Sequence, residues 1–298
     1  MATLRETLIA NNAFKSVESE GFLDLHFYRP GGGLIAFAAM RLRMTPNMLT
    51  MISLVTGVAG AILLYWDRWM WTGIGMLAAS GLLDASDGQL ARMTKTSSVF
   101  GRVLDGFADY AVFMATYLAL AFKYLYLHPD ASPFPIFGLV VLAGVLHSMQ
   151  SSLFDYYRNE YTDYVDRRKI PVSDFDEIAE PPQGFVQRFL WWCHRDYTNR
   201  QRKLARSHVE LGEALRCKFG KEKLSDNFAK NYRDLNLPLI WWWNLLGANS
   251  RFLVTIAALA VGRPELYFLA EITIYSACAG ALHHYQAKAD QALLAATV

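Results

Sequence analysis

Residues 84–109 of the chain read DASDGQLARMTKTSSVFGRVLDGFAD, and this stretch carries two pairs of aspartates. Asp84 and Asp87 are three residues apart, so they share one face of a helix. Asp105 and Asp109 are four residues apart and share a face of the following helix. Apolar sequence of helix length flanks the stretch on both sides. Two such helices placed side by side would bring all the carboxylates into one small space.

These carboxylates would repel one another at neutral pH unless a positive charge lay among them. All the candidate ligands are oxygens, which favours Mg²⁺, Mn²⁺ or Ca²⁺ over zinc. A single pair of aspartates at helical spacing is usually a solvated helix face, but two pairs in a fixed register bordered by membrane-grade sequence favour a site. The pattern therefore predicts metal ligands at Asp84, Asp87, Asp105 and Asp109.

Small residues accompany the aspartates. Gly88 and Ala91 follow the first pair along the same helix, and Gly101 lies one turn before the second pair. A stripe without side chains leaves room for a flat or bulky ligand, or for close contact between helices. Arg92 adds a planar fork of hydrogen-bond donors that suits phosphate.

Written as a pattern, the stretch is DxxDGxxAR, eight residues, then GxxxDxxxD. It resembles, at every fixed position, the signature of the CDP-alcohol phosphotransferases, which are integral membrane enzymes of phospholipid synthesis. The resemblance implies a helical membrane enzyme, often a homodimer, with two metal ions, Mg²⁺ or Mn²⁺, at the cytosolic side of the bilayer. It also implies that a CDP-linked substrate is cleaved and that its substituted phosphate passes to an alcohol hydroxyl with release of CMP.

The same resemblance implies roles for individual residues. Asp109 is the implied base that takes the proton from the acceptor hydroxyl, at a site where a base and a metal ligand are hard to separate. Asn47 follows Pro46 at the start of the first predicted span, a feature that recurs in the family. Contacts with the CDP-linked substrate are implied for Asn47, Asp84, Gly88, Ala91, Arg92 and Gly101.

The composition agrees with a membrane protein that also has a polar segment. The chain has 298 residues, of which 53% are hydrophobic and 14% aromatic, and its mean hydropathy is +0.14. This is too apolar for an ordinary soluble protein and too charged for a membrane protein with short loops throughout. Cys193, Cys217 and Cys278 are scattered, with neither metal-ligand spacing nor a disulfide framework.

We predict an all-α polytopic membrane helix bundle with six transmembrane helices. The predicted spans are 46–66, 69–91, 103–127, 134–156, 238–261 and 266–285. Residues 29–44 are too short to span and are predicted to form an interfacial helix; the alternative is that they begin the first span. The chain then divides into an N-terminal segment 1–45, the first four spans within 46–157, a charged cytosolic insertion 158–236, and the last two spans with a short tail in 237–298.

The charge distribution predicts the orientation. The basic residues Arg41, Arg43, Lys95 and Arg102 and the insertion fall on the same side as both termini, so the positive-inside rule makes that side, with the aspartates, cytosolic. Within the insertion, 184–219 mixes aromatic and basic residues at helical spacing, which is typical of a membrane surface. Nucleic-acid binding is not expected, because no recognition motif accompanies the charge.

Two arginines are candidates for binding the acceptor. Arg158 ends the fourth predicted span, where family members often carry a tyrosine and an arginine; the alternative is an ordinary border charge. Arg251 lies inside the fifth predicted span, where an arginine is costly unless it faces a polar cavity or an anion. The alternative is that this span starts later and Arg251 is interfacial. Glu271, inside the sixth predicted span, has no explanation in the sequence.

Three functions stay open on these residues. The two arginines favour CDP-diacylglycerol as donor and a small polar or phosphorylated alcohol as acceptor. The second branch of the family joins a CDP-linked small alcohol, of the choline or ethanolamine type, to a lipid acceptor. The third is a metal-dependent carrier or channel, which needs a polar path across the membrane, whereas the carboxylates gather at one face.

Overall fold

The computed structural model describes residues 18–166, 170, 184–220 and 223–297. This part of the chain is almost entirely helical and contains no strand, which confirms the predicted all-α class. Residues 1–17 of the predicted N-terminal segment, and 167–169, 171–183 and 221–222 of the predicted insertion, lie outside the described residues. In chain order the helices are α1 Arg29–Arg41, α2 Pro46–Leu63, α3 Met70–Thr94, α4 Val99–Leu127, α5 Pro133–Tyr161, α6 Phe185–Leu204, α7 Arg206–Phe219, α8 Asp226–Trp243, α9 Ala248–Ala260, α10 Glu265–Ala270 and α11 Ser276–Thr297.

The first predicted span begins where the sequence indicates. The Thr45 hydroxyl accepts the backbone N–H of Met48 at 3.3 Å, and Pro46 occupies the first helical position, where its missing N–H costs nothing. The preceding helix, predicted over 29–44, ends at Arg41, and the chain turns at Arg43, whose φ of 56° is left-handed. A π-helical turn, Asp24–Tyr28, leads into it.

The loop between the two aspartate pairs is shorter than the gap between the predicted spans 69–91 and 103–127. Helix α3 continues to Thr94 and is ended by Lys95, which adopts a left-handed φ of 56°. Ser98 then accepts the backbone N–H of Gly101 at 2.9 Å and caps the start of α4. Gly101 therefore lies in the first turn of a helix and not in a loop.

Residues 22–142 and 254–268 belong to one compact unit, in which α2 packs against both α3 and α4. Helices α2 and α3 approach so closely that a Cβ atom on Gly73 would lie 2.6 Å from the carbonyl oxygen of Gly60. Further along, Ser53 and Ser80 each donate a hydrogen bond to the other's carbonyl oxygen, at 2.9 and 2.8 Å. This antiparallel register places the start of α2 beside the end of α3.

The second compact unit comprises residues 18–21, 143–253 and 269–297 of the described chain. Helices α7 and α8 pack against α11. His208 on α7 is fully buried, and its Nδ1 lies 2.8 Å from Oδ1 of Asp290 on α11. Helices α7 and α8, which lie largely in the predicted insertion, thus share a core with the last helix, α11. The largest buried aromatic side chains of this unit are Tyr157, Tyr161, Tyr164, Tyr232 and Trp243.

Four helical stretches in the described residues are long and apolar enough to cross a membrane. They are Pro46–Leu63, Phe100–Leu127, Pro133–Asp166 and Glu265–Ala296, and they overlap the first, third, fourth and sixth predicted spans. Helix α3 has 25 residues, but Asp84, Asp87 and Arg92 make its second half polar. The bundle of membrane helices agrees with the prediction, and the count of six spans stays a prediction.

The prediction that the fifth span, 238–261, is one continuous helix is wrong. Helix α8 ends at Trp243, a 3₁₀ turn follows at Asn244–Leu246, and α9 begins at Ala248. The backbone is extended at Gly247, with ψ of 170°, so the helix cannot continue through it. Pro238, predicted to start the span, lies inside α8.

Candidate active site

Three helix ends of the first unit supply the predicted site. Helix α2 contributes its first turns, α3 its last turns and α4 its first turns, and these ends meet because α2 packs against both other helices. The residues that they carry are Asn47, Thr50, Asp84, Asp87, Gly88, Ala91, Arg92, Gly101, Asp105 and Asp109.

The aspartates of α3 and α4 converge as predicted. Asp84, Asp87 and Asp105 each offer a carboxylate oxygen, and these oxygens all lie within 4.8 Å of one another. Asp109, one turn further along α4, is exposed and lies near enough to Asp84 for their charges to interact. The structure therefore forms a close group from three of the predicted ligands and places the fourth at its edge.

This donor set fits a hard divalent cation. Two oxygens on opposite sides of an octahedral Mg²⁺ lie about 4.2 Å apart, because each bond is about 2.1 Å long. A separation of at most 4.8 Å then requires only small movements of the side chains. Asp87 is only 6% exposed, and a buried carboxylate beside two others is expensive without a positive charge nearby.

Thr50 is a residue of the site that the sequence reasoning missed. Its hydroxyl donates to Asp87 Oδ2 at 2.5 Å, and it also lies 3.2 Å from the carbonyl oxygen of Pro46. The signal was present in the sequence, because Thr50 is three residues after Asn47 and so shares a helix face with it. A threonine in an apolar helix commonly bonds its own backbone, which hides this signal.

Gly101 and Asn47, both predicted to contact the nucleotide, are neighbours across α2 and α4. A Cβ atom on Gly101 would lie 3.3 Å from Asn47 Oδ1 and 3.1 Å from Ser98 Oγ. Both distances are tighter than an ordinary van der Waals contact, so this glycine permits a close approach of the two helices. At Gly101 the missing side chain therefore permits close helix contact, one of the two roles considered for the small residues.

Gly88 and Arg92 also lie together. A Cβ atom on Gly88 would be 3.4 Å from a terminal nitrogen of Arg92. The Arg92 guanidinium is near enough to Asp87 for their charges to attract, and the backbone N–H of Gly88 bonds to the same carboxylate. The arginine thus offsets part of the negative charge of the aspartate group.

The two candidate acceptor residues belong to the second unit. The Arg158 guanidinium lies 5.0 Å from the centre of the Phe154 ring and is partly exposed. Arg251 is only 4% exposed and its Nε donates to Glu271 Oε1 at 2.6 Å. Its two terminal nitrogens donate to the Gln150 side-chain oxygen at 2.7 Å and to the Ser151 hydroxyl.

Glu271, unexplained in the sequence, is the ion-pair partner of Arg251. It is fully buried at the start of the π-helical turn Glu271–Tyr275, and His147 Nδ1 lies 3.1 Å from the same carboxylate oxygen. A buried arginine is therefore compensated from within the chain by a carboxylate 20 residues later.

The segment that carries the aspartate group is also the segment that matches a known family. The family model for CDP-alcohol phosphatidyltransferase matches residues 43–175, which include the whole aspartate group and its neighbours. The chloroplastic CDP-diacylglycerol–glycerol-3-phosphate 3-phosphatidyltransferase 1 of Oryza sativa subsp. japonica is 32% identical over 122 residues, which are 40% of this chain and 36% of that protein. Phosphatidylinositol phosphate synthase of Cutibacterium acnes is 31% identical over 91 residues, 29% of this chain and 44% of that protein.

The fold and the site define a helical membrane protein with an acidic centre that suits a divalent cation. Residues 43–175 match the model of the CDP-alcohol phosphatidyltransferase family, which confirms the resemblance drawn from the signature. The chain spans less than half the length of the two curated relatives named above.

Proposed function

We propose that the chain transfers a phosphatidyl group from CDP-diacylglycerol to the hydroxyl of a small polar or phosphorylated alcohol, with release of CMP. The observation that carries this proposal is the aspartate group: Asp84, Asp87 and Asp105 offer oxygens within 4.8 Å of one another inside the matched segment. The two relatives support the donor and the kind of acceptor. One is named for CDP-diacylglycerol and glycerol 3-phosphate, the other for a phosphatidylinositol phosphate.

Mg²⁺ or Mn²⁺ held by Asp84, Asp87 and Asp105, with a second ion shared with Asp109, would supply positive charge against the pyrophosphate of the donor and the CMP leaving group. Thr50 holds the Asp87 carboxylate in place through its hydrogen bond. Arg92, whose guanidinium lies near Asp87, would donate hydrogen bonds to a phosphate oxygen of the donor.

Asp109 would act as the base. The acceptor oxygen attacks the phosphorus that carries the diacylglycerol, the bond from that phosphorus to the CMP oxygen breaks, and CMP leaves with the bonding electrons. The acceptor proton passes to the carboxylate of Asp109, which is exposed at the edge of the aspartate group and so accessible to an incoming alcohol. Asn47, Gly88, Ala91 and Gly101 would line the binding site for the nucleotide.

Arg158 and Arg251 remain our candidates for the anionic group of the acceptor. Arg158 is partly exposed, so an acceptor phosphate could reach its guanidinium. Arg251 is paired with Glu271, so a phosphate there would share the guanidinium with a carboxylate. We further propose a homodimer with its active site facing the cytosol, on the family resemblance and the positive-inside rule.

The test is release of labelled CMP by the purified chain in lipid vesicles. CDP-diacylglycerol would be offered with glycerol 3-phosphate, inositol phosphate, serine and glycerol, and CDP-choline or CDP-ethanolamine with diacylglycerol. We expect CMP release only with CDP-diacylglycerol, and fastest with a phosphorylated alcohol. Release only from CDP-choline or CDP-ethanolamine would instead assign the chain to the second branch of the family, and vesicles that lack the chain are the negative control.

A further inference from the structure

Helix α6, in the charged insertion, exposes three large aromatic side chains. Phe185 is 88% exposed, Phe189 48% and Trp192 61%. They stand at positions i, i+4 and i+7, so they line one face of the helix, which we call the aromatic face. An exposed apolar patch of this kind marks a surface that contacts a membrane or another protein.

Basic side chains flank the aromatic face. Arg188 and Arg195 are both exposed, and the Arg195 guanidinium lies 5.0 Å from the centre of the Trp191 ring. The helix carries five lysines and arginines and one acidic residue, Asp196. This surface is therefore complementary in charge to an anionic partner.

The C-terminal half of α6 is fixed to a helix long and apolar enough to cross the membrane. The Tyr197 hydroxyl donates to Asp155 Oδ2 at 2.8 Å, and Arg200 donates to Ser148 Oγ at 2.8 Å. Both acceptors lie in the last half of α5, within the candidate span Pro133–Asp166. The aromatic face thus belongs to a helix that is hydrogen-bonded to the middle and the later part of a candidate membrane helix.

We propose that the aromatic face docks onto the surface of an anionic bilayer. Phe185, Phe189 and Trp192 would enter the boundary between headgroups and acyl chains, while Arg188 and Arg195 would contact lipid phosphates. A second copy of this chain is the competing occupant. It fits less well, because two like faces would bring their arginines together. The proposal concerns the insertion and does not depend on the proposed catalytic function.

The test measures the depth of α6 in a bilayer, using the full chain in lipid nanodiscs. Phe189→Cys carries a fluorophore in a background with Cys193, Cys217 and Cys278 replaced by serine. The matched control restores Cys217 alone, which is exposed on α7. The discs contain phosphatidylcholine with or without phosphatidylglycerol, and a lipid with a nitroxide near its headgroup quenches fluorophores that enter the interface.

We expect severalfold stronger quenching at position 189 than at 217 in the discs with phosphatidylglycerol. Adding Arg188→Gln and Arg195→Gln should reduce that quenching to its level in phosphatidylcholine alone. Equal weak quenching at 189 and 217 would overturn the docking, and equal strong quenching with and without phosphatidylglycerol would overturn its anionic character. Cross-linking between copies through position 189, without quenching by lipid, would assign the face to a second copy. Trp192→Cys repeats the measurement if Phe189→Cys does not fold.

Discussion

The Thr50 hydroxyl donates a hydrogen bond to Asp87 Oδ2 across 2.5 Å, which joins the first turns of α2 to the aspartate pair of α3. Both residues are buried, at 3% and 6% exposure. A hydrogen-bonded partner of this kind fixes the orientation of a metal-ligating carboxylate. Packing between α2 and α3, which also includes the hydrogen bonds of Ser53 and Ser80, therefore helps to position the acidic centre.

Thr50→Val keeps the shape of the side chain but removes the hydroxyl that bonds Asp87. We expect the Mg²⁺ affinity to fall by about 10–100-fold, the usual effect of losing such a partner. Metal-induced thermal stabilisation and CMP release, both titrated with Mg²⁺, measure the change. Thr50→Ser should behave like the wild type, and Thr56→Val controls for a threonine lost elsewhere on α2. An unchanged Mg²⁺ titration for Thr50→Val would show that the hydrogen bond has no role in the centre.

Asp109→Asn separates the base from the metal ligands. If Asp109 takes the proton, turnover should fall by about 10²–10⁴-fold, the usual contribution of a positioned base, while the CDP substrate still binds. Asp84→Asn should weaken metal and nucleotide binding together. Calorimetry with the CDP substrate, beside kinetics, distinguishes the two variants. If Asp109→Asn loses nucleotide binding as fully as Asp84→Asn does, Asp109 is chiefly a ligand.

Glu271→Gln should destabilise the chain strongly. It leaves the buried Arg251 guanidinium without its carboxylate, and breaking such a pair costs about 3–5 kcal/mol. Arg263→Gln breaks a pair with an exposed arginine, and we expect about 0–1 kcal/mol from it. Thermal unfolding in detergent compares the variants. A double change, Glu271→Gln with Arg251→Met, should recover part of the lost stability. Equal melting temperatures for Glu271→Gln and the wild type would contradict a stabilising role of the pair.

His208 predicts a pH dependence of stability. Burial alone would lower the pKa of His208, but Asp290 and Glu160 together raise it to about 10, above the ordinary value of 6.5. The ring also lies beside four tyrosines, Tyr156, Tyr157, Tyr164 and Tyr232. Because the folded state holds the proton more tightly, the stabilisation is complete below about pH 6.5 and is lost as the pH rises towards 10.

The measurement for His208 is the melting temperature from pH 6 to 10, for wild type and for His208→Gln. The difference between the two should be largest at the acidic end and should shrink as the pH rises. Ser207→Ala, which removes a neighbouring hydrogen bond to Asp290 without a titrating group, controls for general disturbance. A difference that is constant across this range would contradict a charged His208.

Much of the site could be predicted from the sequence, because helical spacing shows directly which residues share a face. Asp84, Asp87 and Asp105 lie close together, as predicted. Helix α2 begins at Pro46, the position that the sequence predicted. The start of α4 was placed too late, because the apolar pattern begins after the cap that Ser98 provides. Sequence periodicity locates the body of a helix better than its first turn.

The missed features depend on partners that are distant in sequence. Thr50 and Asp87 are separated by 37 residues, and nothing in either local pattern pairs them. Arg251 and Glu271 lie on different helices, and each alone is an unexplained charge in apolar sequence. The fifth predicted span failed for another reason: its residues are largely apolar, but Gly247 interrupts it with an extended backbone. Hydropathy does not report a local break in a helix.

The most direct measurement of the central claim is the metal dependence of CMP release from CDP-diacylglycerol. The aspartate group offers only oxygen ligands, so activity should vanish in excess EDTA and return with Mg²⁺ or Mn²⁺ but not with Zn²⁺. Asp87→Asn should require more metal than the wild type to reach the same rate. Full activity in excess EDTA would contradict the claim that Asp84, Asp87 and Asp105 form a metal centre for the transfer.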